Sequence, residues 1–305
     1  MNPALPAGIR VFERGWLSSN NILIAGRDAS ALIDSGYCTQ AGQTVALVDA
    51  ALAGQPLDLL VNTHLHSDHC GGNAALQAQY PGLITMIPPG QAEHVRVWDA
   101  QALSYTPTGQ SCPQFGFTTL LQPGRDMVLG DLTWQVHAAP GHDPHSVILF
   151  EPASRVLVSA DALWQNGFGV VFPELEGIDA FDKVGQTIDL IEALSPRIVI
   201  PGHGSLIFEV QAAIANARKR LEGFKTDPAR HTEYAAKVLL MFKLLEVQEI
   251  ELPSLIDWAG ATSYFVFIHN QHFQTIEFSQ WVNDLTTQLI GSGAATRDGC
   301  LIKNA

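Results

Sequence analysis

The stretch that most constrains this chain is Leu59-Leu60-Val61-Asn62-Thr63-His64-Leu65-His66-Ser67-Asp68-His69-Cys70-Gly71-Gly72. Its apolar start reads as a buried strand. The strand stops at Thr63, and four side chains able to bind metal then fall within six residues: His64, His66, Asp68 and His69. Two imidazoles at i and i+2 on a turn can grip one cation. A carboxylate and an imidazole just beyond can reach a second. Imidazole with carboxylate suits zinc and similar divalent ions. A position just past the C-terminal end of a strand is where α/β sheets keep their chemistry.

H-x-H-x-D-H followed by Gly71-Gly72 resembles the metallo-β-lactamase superfamily, in its glyoxalase II-like form. Further motifs match in the family's order: Ile33-Asp34-Ser35-Gly36, then Pro140-Gly141-His142, Ser159-Ala160-Asp161 and Pro201-Gly202-His203. The resemblance covers about residues 8–223. It implies an α/β fold class, a four-layer αββα sandwich with a small, mainly helical C-terminal domain. The catalytic domain would span 1–225, and a winged-helix-like domain 226–305. It also implies a ligand set: His64, His66 and His142 for one divalent ion, and Asp68, His69 and His203 for a second. Asp161 would bridge them, and Asp68 and Asp161 would be the catalytic carboxylates. The two ions are expected to be zinc, with iron or manganese as alternatives.

The implied reaction is hydrolysis by a metal-bridging hydroxide of a thioester, lactone or other ester-type acyl bond. Two cations sharing a water lower its pKa to about 7, from about 15.7 in bulk. No side-chain nucleophile is then required, and the serine-hydrolase motif G-x-S-x-G does not occur in the chain. Within the same superfamily the alternatives are a mononuclear iron dioxygenase acting on a sulfur substrate, and a phosphodiesterase or nuclease. A complete ligand set speaks against an idle binding protein.

Composition bears on partners. The chain carries a net charge of −13, which disfavours nucleic acid and anionic membrane. The segment 228–305 has five basic against eight acidic residues, so its helices and terminal hairpin lack a DNA reader's basic footprint. Packing, homodimer formation or a wall of the active-site cleft suit it better. Met1 to Arg10 shows no basic start followed by an apolar run, and no stretch of about 18 apolar residues occurs. Cys38, Cys70, Cys112 and Cys300 form no C-x-x-C pair, as expected of thiols in a cytoplasm. The expected partner is a small-molecule substrate.

In chain order, strands are expected at 9–13, 20–26 and 30–34, with Asp34 facing the metal loop as a hydrogen-bonding support. Gly130-Asp131 reads as a hairpin turn. Residues 99–118 read as a long loop of the kind that serves as a lid, with Phe115-Gly116-Phe117 as an apolar substrate wall. A second Gly- and aromatic-rich loop, 164–177, is expected beside the site as a substrate-binding segment or a packed connector, and helices are expected over 179–194 and 206–224. His145 admits two readings: a support beside the site, or a hydrogen-bonded loop residue.

Overall fold

A computed structural model describes residues 4–305. The first three residues of the N-terminal stretch read above lie outside it. In chain order the elements are β1 (Ile9–Phe12), β2 (Asn21–Ala25), β3 (Ser30–Ile33), α1 (Ala41–Leu52), β4 (Leu59–Val61), α2 (Ser67–Cys70), α3 (Asn73–Gln79), β5 (Ile84–Ile87), α4 (Ala92–Val97), α5 (Tyr105–Thr108) and β6 (Thr119–Leu120). There follow β7 (Asp126–Leu129), β8 (Leu132–Ala138), β9 (Val147–Glu151), β10 (Val156–Ala160), α6 (Phe172–Leu175), α7 (Phe181–Leu194), β11 (Ile198–Pro201) and α8 (Val210–Thr226). The last part holds α9 (Pro228–Val247), β12 (Glu249–Glu251), α10 (Leu252–Ala261), α11 (Ser263–His272), α12 (Phe278–Gly291), β13 (Ala295–Asp298) and β14 (Leu301–Asn304).

Two compact units divide the chain. One takes the chain up to Asp99 and then Cys112–Glu222; the other takes Ala100–Ser111 and Gly223–Ala305. In the first unit a six-stranded sheet runs in sequence order from β1 to β6, and a five-stranded sheet has the order β11-β10-β9-β8-β7. Strand alternation sorts the side chains between layers. Ile22, Ile24, Ile33 and Val61 of the first sheet share one core with Trp134, Val136, Leu149, Val158 and Ile200 of the second. Their alternate neighbours Leu23, Leu32 and Leu60 face the other way, onto Val48 and Leu52 of α1 and Leu76 of α3. The fold is the αββα sandwich. Pairs β3–β4, β4–β5 and β10–β11 are parallel, so several strands end on the same edge. The turn at Gly130-Asp131 joins β7 to β8 with Leu129 opposite Leu132, and Gly130 supplies the positive φ of 57° that the turn needs.

Two stretches differ from the sequence reading. Residues 100–111 are no plain loop: they belong to the second unit, where Tyr105, Pro107 and Thr108 are buried in α5, which packs against α11. Gly109 ends that turn at φ +67°, where a Cβ would lie 2.9 Å from the Trp258 ring. The helix expected from 206 begins at Val210, because Ile207 instead exchanges backbone hydrogen bonds with Val199. The second unit is mainly helical, with the antiparallel sheet order β12-β14-β13. No helix among the described residues is long and apolar enough to cross a membrane.

Candidate metal centre

The residues singled out from sequence converge at the C-terminal ends of β3, β4, β8, β10 and β11. After β4 the chain turns at Asn62-Thr63 and enters the single-turn helix α2, whose first turn holds Asp68 and His69. Gly71 and Gly72 are required there: a Cβ would meet the Ser67 carbonyl oxygen at 2.5 Å and the Ser35 carbonyl oxygen at 2.5 Å, respectively. Two clusters of donor atoms result. One is His64, His66 and His142; the other is Asp68, His69, Asp161 and His203. Within each cluster the atoms lie within 4.8 Å of one another.

In the first cluster, His64 Nε2 lies 3.1 Å and His142 Nε2 2.8 Å from His66 Nδ1. Their far nitrogens are held. Thr63 Oγ1 donates to Asp34 Oδ2 (2.8 Å) and so accepts from His64 Nδ1 at 3.1 Å. His142 Nδ1 donates to the Val170 carbonyl oxygen at 2.5 Å. His64 Nε2 and His142 Nε2 are therefore lone pairs converging on His66 Nδ1, an arrangement that suits a cation among the three rings. Burial, and then the neighbouring imidazoles, keep two of these rings neutral: His64 falls well below the usual histidine range, and His66 is lowered to about 4. Asp143 Oδ2 stands 3.7 Å from His66 Nε2.

In the second cluster, Asp34 at the end of β3 accepts from Thr63 N–H (2.9 Å) and from His69 Nδ1 (2.7 Å). His69 Nε2 is buried without a hydrogen-bond partner, and points at Asp161 Oδ1 (3.4 Å) and Asp68 Oδ2 (3.9 Å). A lone pair aimed at two carboxylates is held only by a proton or a metal ion. With protons alone, burial would lower the His69 pKa, but Asp161, Asp34 and Asp68 outweigh it and raise it well above the usual range. Burial works against ionising Asp161 as well, yet His69, His203 and His142 hold it well below the carboxylate range. The donor set and these orphaned lone pairs fit divalent metal ions.

Asp161 lies between the clusters. Its Oδ2 is 3.3 Å from His142 Nε2, while its Oδ1 is 3.4 Å from His69 Nε2 and 3.8 Å from His203 Nε2. Trp164 Nε1 donates to Oδ1 at 3.2 Å. Gly202 gives this carboxylate room, since a Cβ there would sit 2.2 Å from Oδ1. His203 Nε2 reaches Asp68 Oδ2 at 3.1 Å.

Several residues of the site belong to no motif of the sequence. Asn20 N–H donates to the Gly202 carbonyl oxygen (2.6 Å), and its side-chain amide to the Pro201 and Gly204 carbonyls. Trp16 stacks on the His203 ring with centroids 5.4 Å apart and planes 10° from parallel. Asp143 is the most accessible to a sequence signal, standing directly after His142. His145 is exposed; its N–H donates to Asp143 Oδ1 and its ring packs on Gly90. Phe115 and Phe117, expected as a substrate wall, instead line a cavity of about 490 Å³ with Gln77 and Arg96, whose lining includes no residue of the two clusters.

Sandwich and histidine–aspartate clusters together define a metal-dependent hydrolase. The chain belongs to the metallo-β-lactamase superfamily, whose family model matches residues 14–203. Among curated relatives, a hydroxyacylglutathione hydrolase of Brucella anthropi is 27% identical over 229 residues, covering 74% of each chain. Among solved structures, a metallo-β-lactamase family protein from Thermus thermophilus aligns with 99% of this chain and 100% of its own, at 19% identity and a TM-score of 0.56. Another neighbour, solved in a di-iron-bound form, aligns with 68% of this chain and 96% of its own, at 24% identity and a TM-score of 0.53.

Proposed function

We propose that this protein is a dinuclear metal-dependent hydrolase of ester-type acyl bonds, with a thioester as first substrate class and a lactone or other ester as second. The observation that carries the reading is Asp161, whose two oxygens face different clusters at 3.3 and 3.4 Å. His64, His66 and His142 would hold one ion; Asp68, His69 and His203 would hold the other, with Asp161 shared. When bound, such ions supply Lewis acidity, acidifying a water and polarising an acyl oxygen. The chain's own part is orientation. Asp34, Thr63 and the Val170 carbonyl fix the tautomers of His69, His64 and His142. Trp164 holds Asp161 in place from the side. His64 and His66, kept neutral by burial, are ready to bind without first losing a proton.

The Brucella relative's name, a hydroxyacylglutathione hydrolase, supports a thioester. Nitrogen and carboxylate donors suit zinc, iron and manganese alike; zinc is the first choice, and the di-iron form of one structural neighbour supports iron as second. A small-molecule substrate and a cytoplasmic setting belong to the same reading, as does a winged-helix-like character for the second unit, supported by helices α9 to α12 ahead of the terminal hairpin β13–β14. The test is metal analysis of purified protein, followed by a panel of thioester, lactone, β-lactam and phosphodiester substrates and an oxygen electrode. Two ions per chain with thioester or lactone turnover is the expected result. One iron with oxygen uptake, or phosphodiester turnover alone, would overturn it.

A further inference from the structure

A large apolar ring exposed at the rim of a polar site calls for an explanation. Trp16 is 57% exposed, yet it is seated on His203, with the Trp164 ring edge-on at 5.4 Å. Trp164 is itself fixed by its bond to Asp161 and stands edge-on to His203 at 5.5 Å. Facing the other cluster, the Phe172 ring meets His66 edge-on at 4.9 Å. The rim of the site is thus built from aromatic rings over the imidazoles.

Fixed cations are scarce there. Across the stretches 13–20, 62–72, 139–146, 160–177 and 201–205, Arg14 is the one Lys or Arg. Its guanidinium is engaged by Asn21, Thr44, Gln43 and Gln40 at 2.5–3.4 Å. Arg220 reaches the Trp164 loop from α8, but lies over the Phe168 ring and donates to the Asn166 carbonyl. A substrate arm bearing carboxylates would find no committed partner among these residues, whereas a flat apolar arm would find pre-set rings and little ordering cost.

We infer that the arm of the ester lying against Trp16 is flat and uncharged, an aryl group rather than a peptide-like thiol carrying carboxylates, and that Trp16 is the residue that selects it. This rests on the acyl-ester reading above and narrows it. Trp16 would act by stacking, leaving bond cleavage to the residues around Asp161.

The test compares thioesters that share one acyl group and differ in the thiol: benzyl or naphthylmethyl against glutathione. The aryl thioester should have the higher kcat/KM, by about tenfold or more. Trp16→Ala should remove about tenfold of that preference, mainly through KM, and Trp16→Phe should restore most of it. A readout apart from turnover is binding of a non-hydrolysable naphthylmethyl thioether, followed by fluorescence with and without metal. Trp16→Ala should weaken it by about tenfold with metal content unchanged. Preference for the glutathione thioester, or analogue binding indifferent to Trp16→Ala, would overturn the inference. If no ester is cleaved, the hydrolase reading falls instead. The binding comparison then decides alone: Trp16-dependent binding supports the inference, and Trp16-independent binding overturns it.

Discussion

Replacing Gly202 by Ala tests whether the placement of Asp161 governs the centre. The new methyl carbon would stand 2.2 Å from Asp161 Oδ1, 3.0 Å from the Ala160 carbonyl carbon and 3.0 Å from His69 Cε1. The backbone cannot easily retreat. Gly202 N–H donates to the Ala160 carbonyl at 2.7 Å, and its carbonyl accepts from Asn20 at 2.6 Å. The Asp161 carboxylate must therefore yield, by about 1.2 Å to regain ordinary contact. At an effective dielectric of about 20, a carboxylate and a unit charge about 3.4 Å apart interact by about 5 kcal/mol, and by about 3.6 kcal/mol when about 1.2 Å further apart. The difference of about 1.3 kcal/mol is roughly tenfold in affinity for one ion. Misplacement near 1 Å at a reacting centre can cost about a hundredfold in rate. We expect kcat/KM to fall about 10- to 100-fold, metal to be held about tenfold more weakly, and stability to drop by about 1–3 kcal/mol from overpacking. The assays are hydrolysis kinetics, elemental analysis across a chelator series, and thermal melts by circular dichroism. Gly82→Ala is the control: its φ is not positive, and its Cβ would meet nothing within 4 Å. Full metal content and kcat/KM within twofold of wild type in Gly202→Ala would refute the reasoning.

Asp161→Ala should lower kcat/KM by about a hundredfold or more and lose one ion, against about 10- to 100-fold for Asp34→Ala, and that or less for exposed His145→Ala; kinetics and metal content on all three variants check the order. Chelation should abolish hydrolysis and lower the melting temperature, and adding back zinc, iron or manganese should restore both, with elemental analysis giving two ions per chain. Glu151 offers a pH test away from the metal. Burial works to raise its pKa, but hydrogen bonds from Ser154 and Ala153 outweigh it and hold it below the usual range. A depressed folded pKa means the stabilisation is present above the unfolded value of about 4.3 and lost as pH falls through the folded one. Glu151→Ala should therefore cost about 1 kcal/mol at neutral pH, and denaturant melts of metal-free protein should show the gap from wild type closing below about pH 4.

The sequence makes some of this site legible and hides the rest for physical reasons. His64, His66, Asp68 and His69 stand within one turn and helix, so their density alone points to metal. His142, Asp161 and His203 each stand alone on separate strand ends, and only their match to an ordered set of motifs draws them together. Alternation along β2, β3 and β4 makes the sandwich readable, because each residue faces one of two distinct cores. Trp16 and Asn20 carry no local signal, since their importance comes from what the fold sets beside them. Residues 100–111 mislead for the reverse reason: their Gly and Pro content looks like a loop, while α11, far along the chain, gives Tyr105 and Pro107 a place to bury.

That last pairing sets an order of events during synthesis. As the chain emerges from a ribosome, Tyr105–Thr108 appears long before Ser263–His272, the helix it packs against. At about 5–20 residues per second the wait is roughly 10–30 seconds. For that interval the nascent chain shows apolar surface that a finished molecule hides, and it is open to chaperones. A gene cut at residue 225 would make the exposure permanent, because the helix that covers Tyr105–Thr108 would never be made.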